Sequence, residues 1–204
     1  MQWLRWVQRI QDIAQTGLAY AKDPYDRERY EQLRALAVEI GAAYLERPSA
    51  EVAALIASES GYPTPKVDVR AVVFDHQGRL LFAREHSDGA WSLPGGWADG
   101  GSTPGEMAAR ETWEETGYRV RPVKVLAVWD RDRQGHPPMA FACYKLFIRC
   151  ELIGGEARPN HEILEVGFFG REEIPPLSLG RVTLAQVRRM FEHHDAPQLL
   201  ADFD

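Results

Sequence analysis

The sequence predicts an α/β fold in which a mixed sheet with helices follows a small all-helical N-terminal domain. Apolar residues recur at helical spacing up to about residue 60, whereas valine-rich segments with alternating apolar positions begin at Lys66 and are interleaved with two helical segments. The period changes at the segment Gly61-Tyr62-Pro63-Thr64-Pro65, whose glycine and prolines are typical of a linker. The predicted domains are therefore residues 1–60 and 66–204, joined by the linker 61–65.

The first domain is predicted to contain three helices. The chain breaks at Asp23-Pro24 and at Arg47-Pro48, and Ser49 is suited to cap a third helix. A domain of this size buries little apolar surface by itself. We therefore expect a homodimer in which these helices take part, with packing inside one chain as the alternative. The apolar helix faces carry Trp3, Trp6, Ile10 and Leu33.

The second domain is predicted to alternate strands and helices. Its central helix begins at Pro104, after the capping residue Thr103, and ends at Gly117, because proline suits the first turn of a helix and glycine suits its end. The final helix spans residues 182–192. The predicted strands are residues 66–74, 79–83, 118–129, 140–152 and 165–169.

Composition and charge exclude several classes of protein. With 204 residues, 45% hydrophobic and 26% charged, the chain has the composition of a folded globular protein. A net charge of −6 excludes a general positive field for long nucleic acids. Charged residues interrupt the N-terminal apolar positions and no run of 18 apolar residues occurs, so neither export nor membrane insertion is expected.

The two cysteines indicate a reducing environment. Cys143 and Cys150 lie on one predicted strand. Seven residues of strand separate them by more than about 20 Å, at about 3.3 Å per residue, which is too far for a disulfide. A cytoplasmic location is therefore expected.

Three glutamates lie on one face of the central helix. Glu111, Glu114 and Glu115 fall at i, i+3 and i+4, where like charges repel, so a cation is needed to neutralise them. Arg110 lies four residues before Glu114 and is placed to hold it, which leaves Glu111 and Glu115 for a hard divalent cation. The alternative is a solvated acidic face with no ligand.

The glycines of Leu93-Pro94-Gly95-Gly96 precede this helix and strengthen the case for a site. Without a Cβ, Gly95 and Gly96 let backbone groups approach a metal or a phosphate closely. A glycine-rich strand end followed by an acidic helix forms a cradle for metal-bound phosphate.

The stretch Gly96 to Tyr118, GWADGGSTPGEMAARETWEETGY, resembles the Nudix box of the Nudix hydrolases. The glycine, Arg-Glu-x-x-Glu-Glu and final Gly-Tyr positions of that motif are in register. Ser102 stands where the family has its first glutamate, and Thr112 replaces a bulky apolar residue. Glu106 lies one helical turn before Arg110 and is expected to supply the missing partner for that arginine.

The resemblance extends over nearly the whole chain to bacterial Nudix hydrolases with an extra helical N-terminal domain. It implies an α/β/α sandwich with a mixed sheet and an enzyme that uses Mg²⁺, with Mn²⁺ as an alternative. Members of that branch are ADP-ribose or CDP-choline pyrophosphatases. The implied reaction splits a nucleoside diphosphate linked to a second moiety into a nucleoside monophosphate and a phosphorylated product.

The family pattern implies the roles of individual residues. Glu111 and Glu115 are the expected principal metal ligands, with Glu114 oriented by Arg110 or binding through water and with the carbonyl of Gly95 completing the set. The catalytic base is either a box glutamate or Glu162 on a later loop. The structural alternative for Glu162 is a solvated side chain with no catalytic role.

Three further residues are candidates for substrate binding, each with a structural alternative. Arg84 is placed to bind a phosphate or to lie free on the surface, and Trp91 to stack on a base or to pack in the core. His136 is placed to reach the substrate or to cap a turn.

Two other functions are consistent with the sequence. A nucleotide-binding sensor that keeps the fold without turnover is favoured by Ser102 and disfavoured by the intact set of Arg110 and the three glutamates. An enzyme that acts on RNA ends is disfavoured by the acidic charge balance. The expected partner is therefore a small nucleoside diphosphate derivative, with neither a membrane nor a long nucleic acid.

Overall fold

A computed structural model describes residues 2–46, 48–57, 61–139 and 141–204. The chain divides into two compact units. The helical unit comprises residues 1–65 together with residues 138–142, and the sheet unit comprises residues 66–137 and 143–204.

The helical unit contains the three predicted helices, α1 (Gln2–Tyr20), α2 (Pro24–Leu45) and α3 (Ser49–Ala57). The predicted break at Asp23-Pro24 is confirmed, because the Asp23 carboxylate caps α2 by accepting hydrogen bonds from the backbone N–H groups of Tyr25 and Asp26. The other predicted break includes Arg47, which lies outside the described residues.

The helices pack through small and branched side chains but leave several aromatic rings exposed. Ala42 and Val52 form a small core across α2 and α3. Trp3 stacks on Tyr44 with ring centroids 5.0 Å apart. Trp6 and Tyr20 are 53% and 68% exposed, so α1 retains apolar surface that its own unit does not cover.

The sheet unit is built on eight strands, in the order β3-β2-β1-β6-β5-β8, with β4 paired to β1 and β7 paired to β2. The pairs β1–β6 and β5–β8 are parallel, and the other pairs are antiparallel. The strands are β1 (Lys66–Phe74), β2 (Leu80–Glu85), β3 (Trp91–Ser92), β4 (Gly95–Trp97), β5 (Tyr118–Asp130), β6 (Cys143–Gly155), β7 (Ile163–Phe169) and β8 (Asp202–Phe203).

Each face of the sheet carries an apolar core and a helix. Val69 and Ala71 of β1 pack with Met107 of α4 (Pro104–Thr116). Val72, on the opposite face, belongs to the cluster that includes Met190 of α5 (Leu184–Asp195). This arrangement confirms the predicted α/β/α sandwich with a mixed sheet.

Several predicted boundaries differ from the structure. The strand expected from Ala140 begins at Cys143 and continues to Gly155, and Ala140 itself lies outside the described residues. The strand expected from Glu165 begins at Ile163. The final helix is shifted by two to three residues, and the sequence analysis missed β3, β4 and β8 because strands of two or three residues have no measurable period.

Both cysteines are buried and unpaired, as predicted. Within the described parts of the chain, no helix combines the length and the apolar character that spanning a membrane requires.

Candidate active site

Helix α4 begins and ends where the sequence predicts. Thr103 and Glu106 form a capping box, in which the Thr103 hydroxyl accepts from the Glu106 N–H and the Glu106 carboxylate accepts from the Thr103 N–H at 2.8 Å. Gly117 ends the helix with φ 77°. The capping box therefore fixes the start of the helix that carries all three box glutamates.

Arg110 is paired with Asp99, and the prediction that Glu106 supplies its partner is wrong. Arg110 Nη2 lies 2.5 Å from Asp99 Oδ2 and 3.6 Å from Glu111 Oε1. Glu106 is occupied by the capping box at the start of the helix. Arg110 therefore contacts Asp99 and Glu111, and its expected orientation of Glu114 stays a prediction.

Glu115 is anchored to the glycine-rich strand. Its Oε2 accepts a hydrogen bond of 2.9 Å from the backbone N–H of Gly95 on β4. Gly95 has φ 138°, and a Cβ at this position would lie 2.0 Å from the carbonyl oxygen of Val69 on β1. Only glycine therefore lets β4 pair with β1 and present its N–H to the Glu115 carboxylate.

Glu111 and Glu115 are in an environment that disfavours their negative charge. Burial raises the pKa of Glu115 to about 8, although Arg70 and the Gly95 N–H act in the opposite direction. Burial, followed by repulsion from Glu114, also raises the pKa of Glu111. A bound cation would stabilise both ionised carboxylates.

This donor set fits a divalent cation held partly by substrate. Within residues 2–46, 48–57, 61–139 and 141–204, no three acidic, histidine or cysteine side chains converge as a complete metal cage. Mg²⁺ in nucleotide enzymes commonly takes one or two carboxylates and completes its shell with water and phosphate oxygens. Glu111 and Glu115 provide that number of hard oxygen donors.

A buried charged network behind the site was missed by the sequence analysis. The Arg70 guanidinium donates two hydrogen bonds of 2.8 Å to the Asp68 carboxylate and one of 3.1 Å to the carbonyl of Leu93. Lys145 Nζ lies 2.7 Å from Oδ1 of the same carboxylate. Alternating charges at positions 68 and 70 of a buried strand were the available signal.

Glu85 is a second residue that the sequence analysis did not identify. It is the last residue of β2 and is buried, and its Oε1 forms an ion pair of 2.9 Å with Nε of Arg181. Burial raises the pKa of Glu85, and Glu162 acts in the same direction, whereas Arg181 and Arg70 oppose it. Glu85 in turn raises the pKa of Glu115, so the end of β2 contributes to the electrostatic environment of the candidate metal ligands.

The three predicted substrate-binding residues are in different environments. Arg84 is partly exposed, and its Nε donates to the carbonyl of Gly89 at 2.9 Å while Nη1 lies 3.5 Å from Glu165. His136 forms a 2.7 Å hydrogen bond through Nδ1 with the carbonyl of Leu179, which joins two loops. This contact accounts for the orientation of the imidazole without a substrate.

Trp91 is a core residue, and the structure does not support stacking of its ring on a substrate base. It is 7% exposed and packs edge-on against Phe169 with ring centroids 4.8 Å apart. Trp97, on the other side of the paired glycines, is 49% exposed. The two tryptophans flank the same glycines, but only Trp97 keeps a largely accessible ring.

Glu162 lies on the loop between β6 and β7. Its side chain is 67% exposed, with Oε1 3.5 Å from His161 Nε2. The backbone carbonyl of Glu162 accepts a 2.7 Å hydrogen bond from the N–H of His86 at the end of β2. The structure thus fixes the backbone of the candidate base and leaves its carboxylate accessible.

Two parts of the chain match known protein families, and a curated relative matches it over nearly its whole length. Residues 64–191 match the NUDIX domain, and residues 1–56 match a family described as a UDP-X-like, N-terminal oligomerisation domain. YjhB of Bacillus subtilis (strain 168), named provisionally as an ADP-ribose pyrophosphatase, is 42% identical over 202 residues, which cover 99% of this chain and 97% of that protein.

Two solved structures are similar to the chain. A crystal structure of an ADP-ribose pyrophosphatase from Streptococcus suis 89-1591 has a TM-score of 0.63 and 37% identity, and the match covers 69% of this chain and 100% of that one. A crystal structure of UDP-X diphosphatase has a TM-score of 0.63 and 32% identity, and the match covers 99% of this chain and 97% of that one.

Proposed function

Because the chain belongs to the NUDIX family, as the Nudix-box residues predict, we propose that it hydrolyses the pyrophosphate bond of ADP-ribose to AMP and ribose 5-phosphate. The protein is a Nudix-type pyrophosphohydrolase whose relatives act on nucleoside diphosphates joined to a second group. We choose ADP-ribose as the proposed substrate because it appears in the names of YjhB and the Streptococcus suis enzyme.

The observation that carries the proposal is the anchored carboxylate of Glu115. It is buried beside Glu111, held by the Gly95 N–H at 2.9 Å, and carries a raised pKa, so a divalent cation is the partner that favours its ionised form. We propose Mg²⁺, with Mn²⁺ as the alternative, held by Glu111 and Glu115 with contributions from Glu114 and the Gly95 carbonyl. When bound, the metal neutralises phosphate charge and lowers the pKa of water.

The protein residues have separate tasks in this proposal. Arg110 keeps Glu111 on the metal-binding face while it is itself fixed by Asp99. Glu162 accepts the proton of the attacking water, and its 67% exposed carboxylate is free to do so. Arg84 binds a substrate phosphate through its guanidinium in place of the 3.5 Å contact with Glu165, and His136 holds the loop that carries Leu179.

Other substrates of the same chemical class remain candidates. A UDP-linked compound is favoured by the likeness to UDP-X diphosphatase, which extends over 99% of this chain. CDP-choline is the third substrate to test. The net charge of −6 disfavours RNA ends, and the Asp99–Arg110 pair argues against the non-catalytic sensor because it restores a carboxylate partner despite Ser102.

A product assay tests this function. Purified protein is incubated with ADP-ribose, UDP-glucose, CDP-choline or a 5′-triphosphorylated RNA and millimolar Mg²⁺. Chromatography measures the nucleoside monophosphate released from the first three compounds and the phosphate or pyrophosphate released from the RNA. Release of AMP that stops with a chelator and returns with Mg²⁺ is expected. Product released only from another compound would identify that compound as the substrate in place of ADP-ribose. Thermal stabilisation by nucleotides without any product would favour the non-catalytic sensor.

We also propose that the protein is a cytoplasmic homodimer joined through its helical unit. The match of residues 1–56 to an oligomerisation domain and the exposed rings of Trp6 and Tyr20 support self-association. The two unpaired, buried cysteines support a reducing compartment. Sedimentation of the protein and of a Trp6→Glu variant tests the dimer, since the variant is expected to be monomeric.

A further inference from the structure

The loop of residues 156–162, between β6 and β7, is attached to the C-terminal end of helix α4. Asn160 Nδ2 donates a hydrogen bond of 2.7 Å to the carbonyl of Glu114, and the N–H of Arg158 donates one of 2.9 Å to the carbonyl of Thr116. The last turn of a helix leaves its carbonyl groups without helical partners. The loop therefore pairs two carbonyl groups at the end of the helix that carries the candidate metal ligands.

The same asparagine holds the segment that carries Glu162. Asn160 Oδ1 accepts hydrogen bonds from the backbone N–H groups of Glu162 at 2.8 Å and Ile163 at 2.9 Å. The N–H of Asn160 closes this turn by donating to the carbonyl of Ile163 at 3.1 Å. One amide side chain thus links the helix carbonyl on one side to the backbone of the candidate base on the other.

The chemistry of the amide suits this double role. An asparagine side chain offers an acceptor oxygen and donor hydrogens at once, whereas an aspartate carboxylate offers only acceptors when ionised. The backbone of Glu162 also accepts a hydrogen bond from His86, directly after β2, so its position is fixed by two contacts. A general base must lie within hydrogen-bond reach of its proton, and a shift of about 1 Å can cost about a hundredfold in rate.

We propose that Asn160 is a positioning residue that sets the distance of Glu162 from the metal-binding face of α4. This inference rests on the proposed function, in which Glu162 accepts the proton from water. Asn160 acts through Glu162, with the Glu114 carbonyl as its anchor on the helix, and it does not itself contact the substrate.

Two substitutions separate the two contacts of Asn160. Asn160→Asp keeps the acceptor for the turn and removes the donor to Glu114, whereas Asn160→Ala removes both. Both variants are expected to lower kcat by about 10- to 100-fold, with little change in KM. This is the range typical for residues that orient another side chain which acts directly in the reaction. A wild-type kcat in Asn160→Asp would overturn the proposal, because the link to the helix would then be dispensable.

A double-mutant comparison tests whether Asn160 acts through Glu162. In a Glu162→Gln protein, where the base is already lost, Asn160→Asp is expected to cause no further fall in kcat. A full additional fall would show a route other than Glu162 and would contradict the inference. Glu156→Gln is the matched control, since this residue lies exposed in the same loop, and its kcat should equal that of the wild type.

Amide hydrogen exchange distinguishes failure of this inference from failure of the proposed function. The wild-type protein should protect the N–H of Arg158, and Asn160→Asp should accelerate its exchange because the loop is released from the helix. Equal exchange in the two proteins would overturn the positioning role even if the enzyme is active. Inactivity of the wild type on every substrate, with accelerated exchange in the variant, would reject the function and retain the anchor.

Discussion

Asp68 and Lys145 form an ion pair of 2.7 Å between the adjacent parallel strands β1 and β6, with side chains that are only 7% and 1% exposed. Arg70 binds both oxygens of the same carboxylate, each at 2.8 Å. Burial by itself would raise the pKa of Asp68, but attraction and hydrogen bonding by Arg70 and Lys145 lower it to about 2. Burial lowers the pKa of Lys145 to about 8. One interior anion therefore serves two cations.

Because one carboxylate neutralises two cations, removal of the Asp68 charge should destabilise the fold more than removal of the Lys145 charge. Asp68→Asn leaves two buried cations without their shared anion and should lower the free energy of unfolding by about 3–5 kcal/mol. Lys145→Met leaves Asp68 paired with Arg70 and should cost clearly less. Urea denaturation of both variants at pH 7 measures the difference, and equal losses would contradict the idea that Asp68 is the shared element.

Substitution of Glu115 should separate activity from stability. Glu115→Gln removes a metal-binding carboxylate and is expected to lower kcat by roughly 10²- to 10⁴-fold, the range for groups that stabilise a transition state. Its amide oxygen can still accept from the Gly95 N–H, and a neutral group suits the buried position, so the melting temperature should be unchanged or higher. Steady-state kinetics and thermal melting check both parts. Retained turnover would refute the assignment of Glu115 as a metal ligand.

The Asp99–Arg110 pair should matter for turnover more than for folding. Asp99→Asn removes the charge that fixes Arg110 and is expected to reduce kcat by about 10- to 100-fold through misplacement of Glu111. The Asp99 side chain is largely exposed and that of Arg110 partly so, and thermal stability should therefore change little.

A comparison with Ser102→Glu makes the test specific. In the wild-type background this substitution adds the glutamate of the family motif, and in the Asp99→Asn background it should restore part of the lost kcat. Absence of any rescue would indicate that position 102 and Asp99 do not serve the same arginine.

The contacts of Asp202 in the C-terminal segment predict that the free energy of unfolding falls at acid pH. Hydrogen bonds from Arg189, and then from His193, hold the pKa of Asp202 below its ordinary value of 3.8. A carboxylate whose pKa is lowered in the folded state contributes stability that is fully present above the unfolded pKa and disappears as the pH falls through the folded value. Stability should therefore decline below about pH 4.

Denaturation curves at pH 7 and pH 3 test this contribution. Asp202→Asn should be less stable than the wild type at pH 7, and the difference should narrow at pH 3 because the wild-type carboxyl is then becoming protonated. A difference that is the same at both values would show that the ionised carboxylate is not responsible.

Local signals were sufficient to predict the central helix. Thr103, Pro104 and Gly117 are each favoured at their positions by the geometry of a helix end, and the structure places both boundaries accordingly. Strand β1 was equally clear, since it is rich in valine, and six of its nine residues are buried. The sandwich with a mixed sheet followed from the resemblance to a known family, whereas the order of the strands was not predicted because periodicity does not show which strands pair.

The candidate site was predicted less completely because its supporting contacts are distant in sequence. Asp99 reaches Arg110 across a loop, and Asp68 reaches Lys145 across 77 positions, so no spacing rule connects them. Glu106 satisfied a helical spacing rule but was already committed to the capping box. A local rule cannot tell which of two suitable partners a side chain will choose.

Residues 138–142 have a consequence for how the protein can be divided. They belong to the helical unit, although the chain on either side of them belongs to the sheet unit, and Gln8 of α1 donates to the carbonyl of Met139 at 3.0 Å. A cut in the linker at residues 61–65 would therefore leave part of the helical unit attached to the other fragment. The two units are not separable modules arranged in series along the chain, and exchanging the N-terminal helices between relatives would also require exchanging this short internal segment.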